Sequence, residues 1–125
     1  GIGPFIPHRE TPLKEEKTGS SEMTLKVMAV TRLLLPLAHL PATTALRTID
    51  GSGLEKALQA GANVIMPDVT DNTYSPLYDI YPDISQADGE NELNYSRAEE
   101  IVNDRGREIC SDCGHSLKKK PKTFG

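Results

Sequence analysis

The run from Leu54 to Met66 constrains the fold more than any other part of this chain. Leu54 to Ala60 carries apolar residues at helical spacing, and Gly61 stands where a helix end takes a left-handed residue. Asn63-Val64-Ile65-Met66 then reads as a near-continuous apolar strand that stops at Pro67. A helix, a glycine stop and an apolar strand with almost no linker form the return leg of a crossover between parallel strands.

Two more strand-then-helix units precede it. Gly1-Ile2-Gly3-Pro4-Phe5-Ile6 is the first predicted strand, and Pro7 to Gly19, rich in Pro, Lys and Glu, is a long surface loop. A helix is predicted to start near Ser20 or Ser21, either of which can cap it, with Glu22 in its first turn. Val27, Val30, Thr31 and Leu34 recur at helical spacing as its expected apolar face, and Pro36 ends it. The second strand is expected within His39 to Leu46, with Ala42-Thr43-Thr44-Ala45 as its core. Three such units predict a parallel α/β architecture, either a barrel or an open sheet.

Further on, a short helix is predicted over Tyr74 to Tyr81, an acidic loop over Asp83 to Glu92, and another helix over Tyr95 to Asp104. Residues 1–82 are thus read as βα units and 83–125 as a polar C-terminal extension. Apolar residues make up only 37% of the chain, below the roughly 45–50% of globular chains, and most lie between Met23 and Tyr81. That distribution argues against a self-sufficient domain. Gly1 stands inside a predicted strand, so the chain is expected to be cut at its N-terminus, with any targeting signal upstream.

The net charge of −4 predicts no polyanion partner, and Lys118-Lys119-Lys120 with Lys122 reads as a solvated tail. The run Leu33-Leu34-Leu35 is far short of the roughly 20 residues that span a bilayer. Two cysteines indicate no disulfide framework, in keeping with a cytoplasmic location. Cys110-Ser111-Asp112-Cys113, with His115 beyond it, could be half a zinc site or a redox dithiol. A structural zinc site needs four ligands and no second cysteine pair exists, so the thiols are expected to be incidental. His8 and His39 are read as structural.

If the units form a barrel, functional groups belong at the C-terminal ends of strands. The positions so singled out are Ile6-Pro7-His8, Thr43-Thr44 and Met66-Pro67-Asp68. Adjacent threonines can offer hydroxyls and backbone N–H groups to an anion. Their strand propensity is the competing explanation.

These segments together resemble a known family. Gly1 to His8 with Thr11-Pro12-Leu13, Thr24-Leu25-Lys26 through Thr31 to Pro36, Pro41-Ala42-Thr43-Thr44-Ala45, Ala57 to Pro67 and Tyr78-Asp79-Ile80-Tyr81-Pro82 are similar, in order, to the later part of the HydE family of FeFe-hydrogenase maturases. These are biotin synthase-like radical S-adenosylmethionine (radical SAM) enzymes. The resemblance implies a (β/α)8 TIM-type barrel, of which this chain supplies about three units plus a C-terminal helical or irregular extension.

The resemblance also implies a 4Fe-4S cluster held by a C-x3-C-x2-C loop, with S-adenosylmethionine bound to it and cleaved to a 5′-deoxyadenosyl radical. The implied substrate is an iron-containing precursor of the hydrogenase active-site cluster, and other hydrogenase maturases are implied partners. The cluster-binding loop is absent from this chain, so the chain alone is expected to be inactive and to hold no metal. By resemblance, Ile6 contacts the adenosyl part of the cofactor. Thr43 and Thr44 bind anionic groups in the substrate cavity, and Met66, Tyr78 and Tyr81 line it. Arg9-Glu10, Arg47, Leu54, Asp68 and Ser75 depart from the family pattern, and Asp68 would oppose an anionic ligand. A biotin synthase or methylornithine synthase on the same barrel is the alternative within the class. A non-catalytic binding module is the alternative outside it.

Overall fold

The computed structural model describes residues 1–67, 69–71, 73–74 and 93–115. Four helices are present among them: α1 (Ser21–Leu34), α2 (Thr44–Ile49), α3 (Gly53–Gln59) and α4 (Tyr95–Asp104). The Ser20 hydroxyl accepts the Met23 N–H at 3.2 Å and Glu22 sits in the first turn, so α1 starts as predicted. It stops two residues before Pro36. The end of α3 is also as expected. Gly61 has φ 108°, its N–H donates to Leu58 and the Ala62 N–H donates to Ala57, which closes a Schellman motif. The helix predicted over Tyr95 to Asp104 is α4, capped by Asn94 and closed by a second Schellman motif at Gly106.

Two expectations are overturned. The proposed strand core Ala42-Thr43-Thr44-Ala45 is not extended throughout: α2 begins at Thr44, and Thr43 is its N-cap. The extended backbone ends at Thr43 (φ −85°, ψ 147°), and just before it Pro41 forms a parallel bridge with Val64. The second correction concerns α1, whose expected inward face looks outward. Val27, Val30 and Leu34 are exposed, while Thr24 and Met28 are buried and Leu25 packs against the core. The buried stripe runs through positions 24, 25 and 28, roughly half a turn away from 27, 30 and 34. A shallow groove of about 220 Å³ follows the outer face, lined by Lys26, Val27, Val30 and Thr31.

The parallel relationship of the second and third predicted strands is present in short form. Val64 N–H donates to Leu40 O at 3.3 Å, and Ala42 N–H donates to Val64 O at 2.9 Å. Val64 therefore spends both its backbone groups on the 40–42 segment, and Pro41 turns its own edge away, toward residues 1–3. Ideal Cβ positions at Gly1 and Gly3 lie 3.6 Å from Pro41 Cγ and 2.8 Å from Thr43 Oγ1, respectively. The first segment thus runs beside the second in the same direction. Pro41 has no N–H to offer it, so this contact is close packing with no ladder through that residue. Among the described residues no longer strand forms.

One apolar cluster unites these pieces. It contains Met28 from α1, Leu40, Ala42 and Leu46, the α3 residues Leu54, Ala57 and Leu58, and Ala62. Leu93, Ala98 and Ile101 join the same cluster, so α4 shares its core with the preceding units.

Candidate functional site

Phe5 accepts the Gly19 N–H through its carbonyl at 2.7 Å, which closes the loop 7–19 directly behind Ile6. Ile6 itself is half-buried and lies outside any regular element. Thr43 Oγ1 accepts the Leu46 N–H at 3.3 Å, satisfying one of the orphan donors at the start of α2. Thr44, half-buried, is the first residue of that helix. The two threonines are therefore a cap and a first-turn residue, not alternating strand positions. Their Thr-Thr-Ala-Leu pattern is itself an N-cap signal. Met66 lies two residues past the bridge and is 49% exposed. Tyr78, Tyr81, Asp68 and Ser75 lie outside the described residues.

Thr43 and the first segment meet directly. A methyl group on Gly3 would sit 2.8 Å from Thr43 Oγ1 and 3.3 Å from its Cγ2, closer than real Cβ contacts allow, so only glycine admits this approach. Ile6 follows three residues later. On the other side, Ala42 is bonded to Val64, two residues before Met66. Residues 1–3 thus lie beside Pro41 and Thr43, and Pro41 and Ala42 beside Val64.

Sequence reasoning missed the polar groups that hold this arrangement. The Asp50 carboxylate joins three helices. It accepts from Ser21 Oγ at 2.8 Å, from Lys56 Nζ at 2.8 and 3.0 Å, and from Ser52 N and Oγ at 3.1 and 3.0 Å. The Lys56 ammonium, and after it the Ser21 hydroxyl, hold the Asp50 carboxyl well below the usual carboxylate range.

Arg32 and Arg107 converge on the C-terminal end of α3 and its cap. Arg32 Nε donates to Gly61 O at 2.8 Å, and its Nη1 reaches the carbonyls of Leu35, Pro36 and Ala38. Arg107 donates from Nη1 to Ala62 O at 2.8 Å and from Nη2 to Leu58 O at 3.0 Å. Two guanidinium groups thus meet carbonyls at the negative end of a helix dipole. Nothing local in the sequence signals the Arg32–Gly61 contact or those of Arg107, because these carbonyls are remote along the chain.

Among the described residues, no group of three or more His, Cys, Asp or Glu side chains is placed to hold a metal ion. The sequence has two cysteines, Cys110 and Cys113, both exposed thiols. They do not fit the three-cysteine loop that a site-differentiated four-iron cluster needs, so no step through such a cluster can be assigned to residues of this chain. No helix among the described residues is long and apolar enough to cross a membrane.

The sequence resembles an FeFe hydrogenase maturase and, over a shorter stretch, the 3-methylornithine synthases, each over part of its length. Over 82 residues, 66% of this chain, it is 56% identical to the FeFe hydrogenase maturase subunit HydE of Thermotoga maritima, and the match covers 24% of that protein. It is 39% identical over 61 residues, 49% of this chain, to the 3-methylornithine synthases of Methanosarcina acetivorans and Methanosarcina barkeri, covering 17% of each. The chain therefore matches about a quarter or less of the length of these curated relatives. No family model matches it.

Proposed function

We propose that this chain forms the last three βα units of a HydE-like radical SAM barrel, and that its share of the work is to shape the substrate cavity and contact S-adenosylmethionine. The observation that carries the reading is the side-by-side parallel run of residues 1–3, 40–42 and the Val64 segment, in a sequence 56% identical to HydE over 82 residues. The longer match to HydE than to the methylornithine synthases, at higher identity, favours the maturase over the alternative within the class.

In this reading Ile6 packs an apolar side chain against the adenosyl group at the exit of the first segment. The Thr44 hydroxyl, with Thr43 beside it, binds anionic groups of an iron-containing precursor of the hydrogenase cluster, and Met66, Tyr78 and Tyr81 line the cavity. Bound in the whole enzyme, the 4Fe-4S cluster supplies the electron that cleaves S-adenosylmethionine, and residues outside this chain hold it. This chain's own residues bind, orient and exclude water. The chain alone is inactive, and the enzyme works in the cytoplasm with other hydrogenase maturases.

The cap role of Thr43 dictates the test. Thr43→Val would remove a helix cap, at a cost of about 0.5–2 kcal/mol, and so confuse folding with binding. Thr44→Val leaves the cap in place. In the full-length enzyme, Thr44→Val is expected to weaken substrate binding more than S-adenosylmethionine binding, with Thr43→Ser close to wild type in both. Equal loss of both affinities in Thr44→Val would sink the cavity assignment.

A further inference from the structure

The outer face of α1 takes no part in the function proposed above. Its exposed apolar residues Met23, Val27, Val30 and Leu34 follow one another at intervals of four, three and four, the spacing of a helix–helix seam. Leu33, 82% exposed, stands beside the last of them. At roughly 100° per residue, Met23, Val30 and Leu33 lie about 140–160° around the helix from the buried Met28. A neighbouring helix packed at the flank of α1 would leave these three bare. Whatever covers the stripe approaches from outside the layer.

Two features fit the stripe to a second copy of itself. Its spacing reads the same in both directions, so an antiparallel copy meets it residue for residue, with Met23 opposite Leu34 and Val27 opposite Val30. The shallow groove lined by Lys26, Val27, Val30 and Thr31 is centred on the same point, midway between positions 28 and 29, where a two-fold axis would pass. Charge raises no obstacle. Of the three charged residues of α1, Arg32 is spent on carbonyls. Lys26 pairs with Glu22 of its own helix and would face the neutral Thr31 across the axis.

We propose that this face is the interface of a homodimer, in which two α1 helices pack antiparallel about a two-fold axis through the Val27–Val30 groove. The area sets its strength. At roughly 60–120 Å² of apolar surface for each fully exposed side chain of this kind, the five residues present roughly 200–400 Å² per copy, or up to about 800 Å² in a pair. With the usual polar share of a homodimer interface, the total approaches about 1,200 Å², the lower edge of stable interfaces. Such a dimer is weak and forms with rising concentration.

The test uses the 125-residue chain with Cys110→Ser and Cys113→Ser, which removes its two exposed thiols. Sedimentation equilibrium should show association that stops at two copies, with a dissociation constant between about 1 μM and 1 mM. Val27→Glu should raise that constant roughly tenfold or more, with helix content by circular dichroism unchanged. Leu13→Glu, at a comparably exposed apolar position in the 7–19 loop, should leave it as it is. In oxidised glutathione, Met23→Cys chains mixed with Leu34→Cys chains should form mixed disulfide dimers. Neither should link to itself, since like positions would stand about 16 Å apart along the helices, too far for a disulfide. A chain that stays monomeric to about 1 mM would overturn the proposal and leave the stripe to another occupant. So would growth beyond two copies, self-linking of Met23→Cys chains as readily as linking to Leu34→Cys, or equal losses in Leu13→Glu and Val27→Glu.

Discussion

Arg32 donates through Nε to the carbonyl of Gly61 at 2.8 Å, and its own Cβ and Cγ would lie 2.7 Å from any Cβ placed on that glycine. The residue that closes α3 is thus fixed twice, by its left-handed backbone and by the side chain laid across it.

Gly61→Ala should therefore cost at least about 1–2 kcal/mol from backbone conformation alone, before the steric contact is counted. Arg32→Met, which keeps the stem but strips hydrogen bonds from four carbonyls, should cost about 2 kcal/mol. The two losses should not add in full, because a methyl group on residue 61 displaces the Arg32 side chain and so disturbs the same Arg32–Gly61 hydrogen bond that Met removes. Urea denaturation of both single variants and the double variant measures this.

Asp50 gives a pH signature. Its folded pKa is depressed, so its contribution is fully present above the unfolded value near 3.9 and is lost as pH falls through the folded value. Denaturation midpoints of the wild-type chain should fall on acidification below about pH 4. Asp50→Asn should be less stable than wild type at pH 7 by about 1–2 kcal/mol, with a flatter acid limb. Parallel curves for the two proteins across the acid range would show that the carboxylate does not hold the three helices.

The two sides of α1 should respond oppositely to truncation. Met28 is fully buried, and Met28→Ala should cost about 2–5 kcal/mol. Val30 is 55% exposed, and Val30→Ala should stay within about 0.5 kcal/mol. Chemical denaturation of the pair decides which face of the helix is inward.

The outward face carries Met23, Val27, Val30, Leu33 and Leu34 in one exposed apolar surface. Surfaces of this kind drive association. The chain should self-associate with rising concentration, and Val30→Glu should suppress this while leaving helix content unchanged. Sedimentation velocity with circular dichroism checks both parts.

What the sequence revealed was whatever rests on neighbours along the chain. Ser20 caps α1, Pro36 lies just beyond its end, Gly61 closes α3, and α4 spans Tyr95–Asp104, all from signals within a few residues. Thr43 and Thr44 were misread because β-branched residues favour strands and also serve at helix starts, and here the cap hydrogen bond to Leu46 prevailed. α1 was turned the wrong way because it is apolar on two sides, and periodicity gives the spacing of a stripe without saying which stripe meets the core. Asp50, Arg32 and Arg107 were invisible for a third reason. Each reaches at least one group that only the fold brings near: Ser21, Gly61, and Leu58 with Ala62, respectively. The parallel pairing of the Pro41 and Val64 segments was legible in the sequence, and the tight approach of Gly3 to Thr43 was not.

Arg107 also determines where this polypeptide can be cut. Its guanidinium ties Leu58 and Ala62 to residues that follow α4, so a stop codon after Gly106 would remove both of these hydrogen bonds and leave the packing of Ala98 and Ile101 to hold α4. A cut a few residues later spares that clasp. That clasp therefore rests on a single arginine, three residues past the last helix.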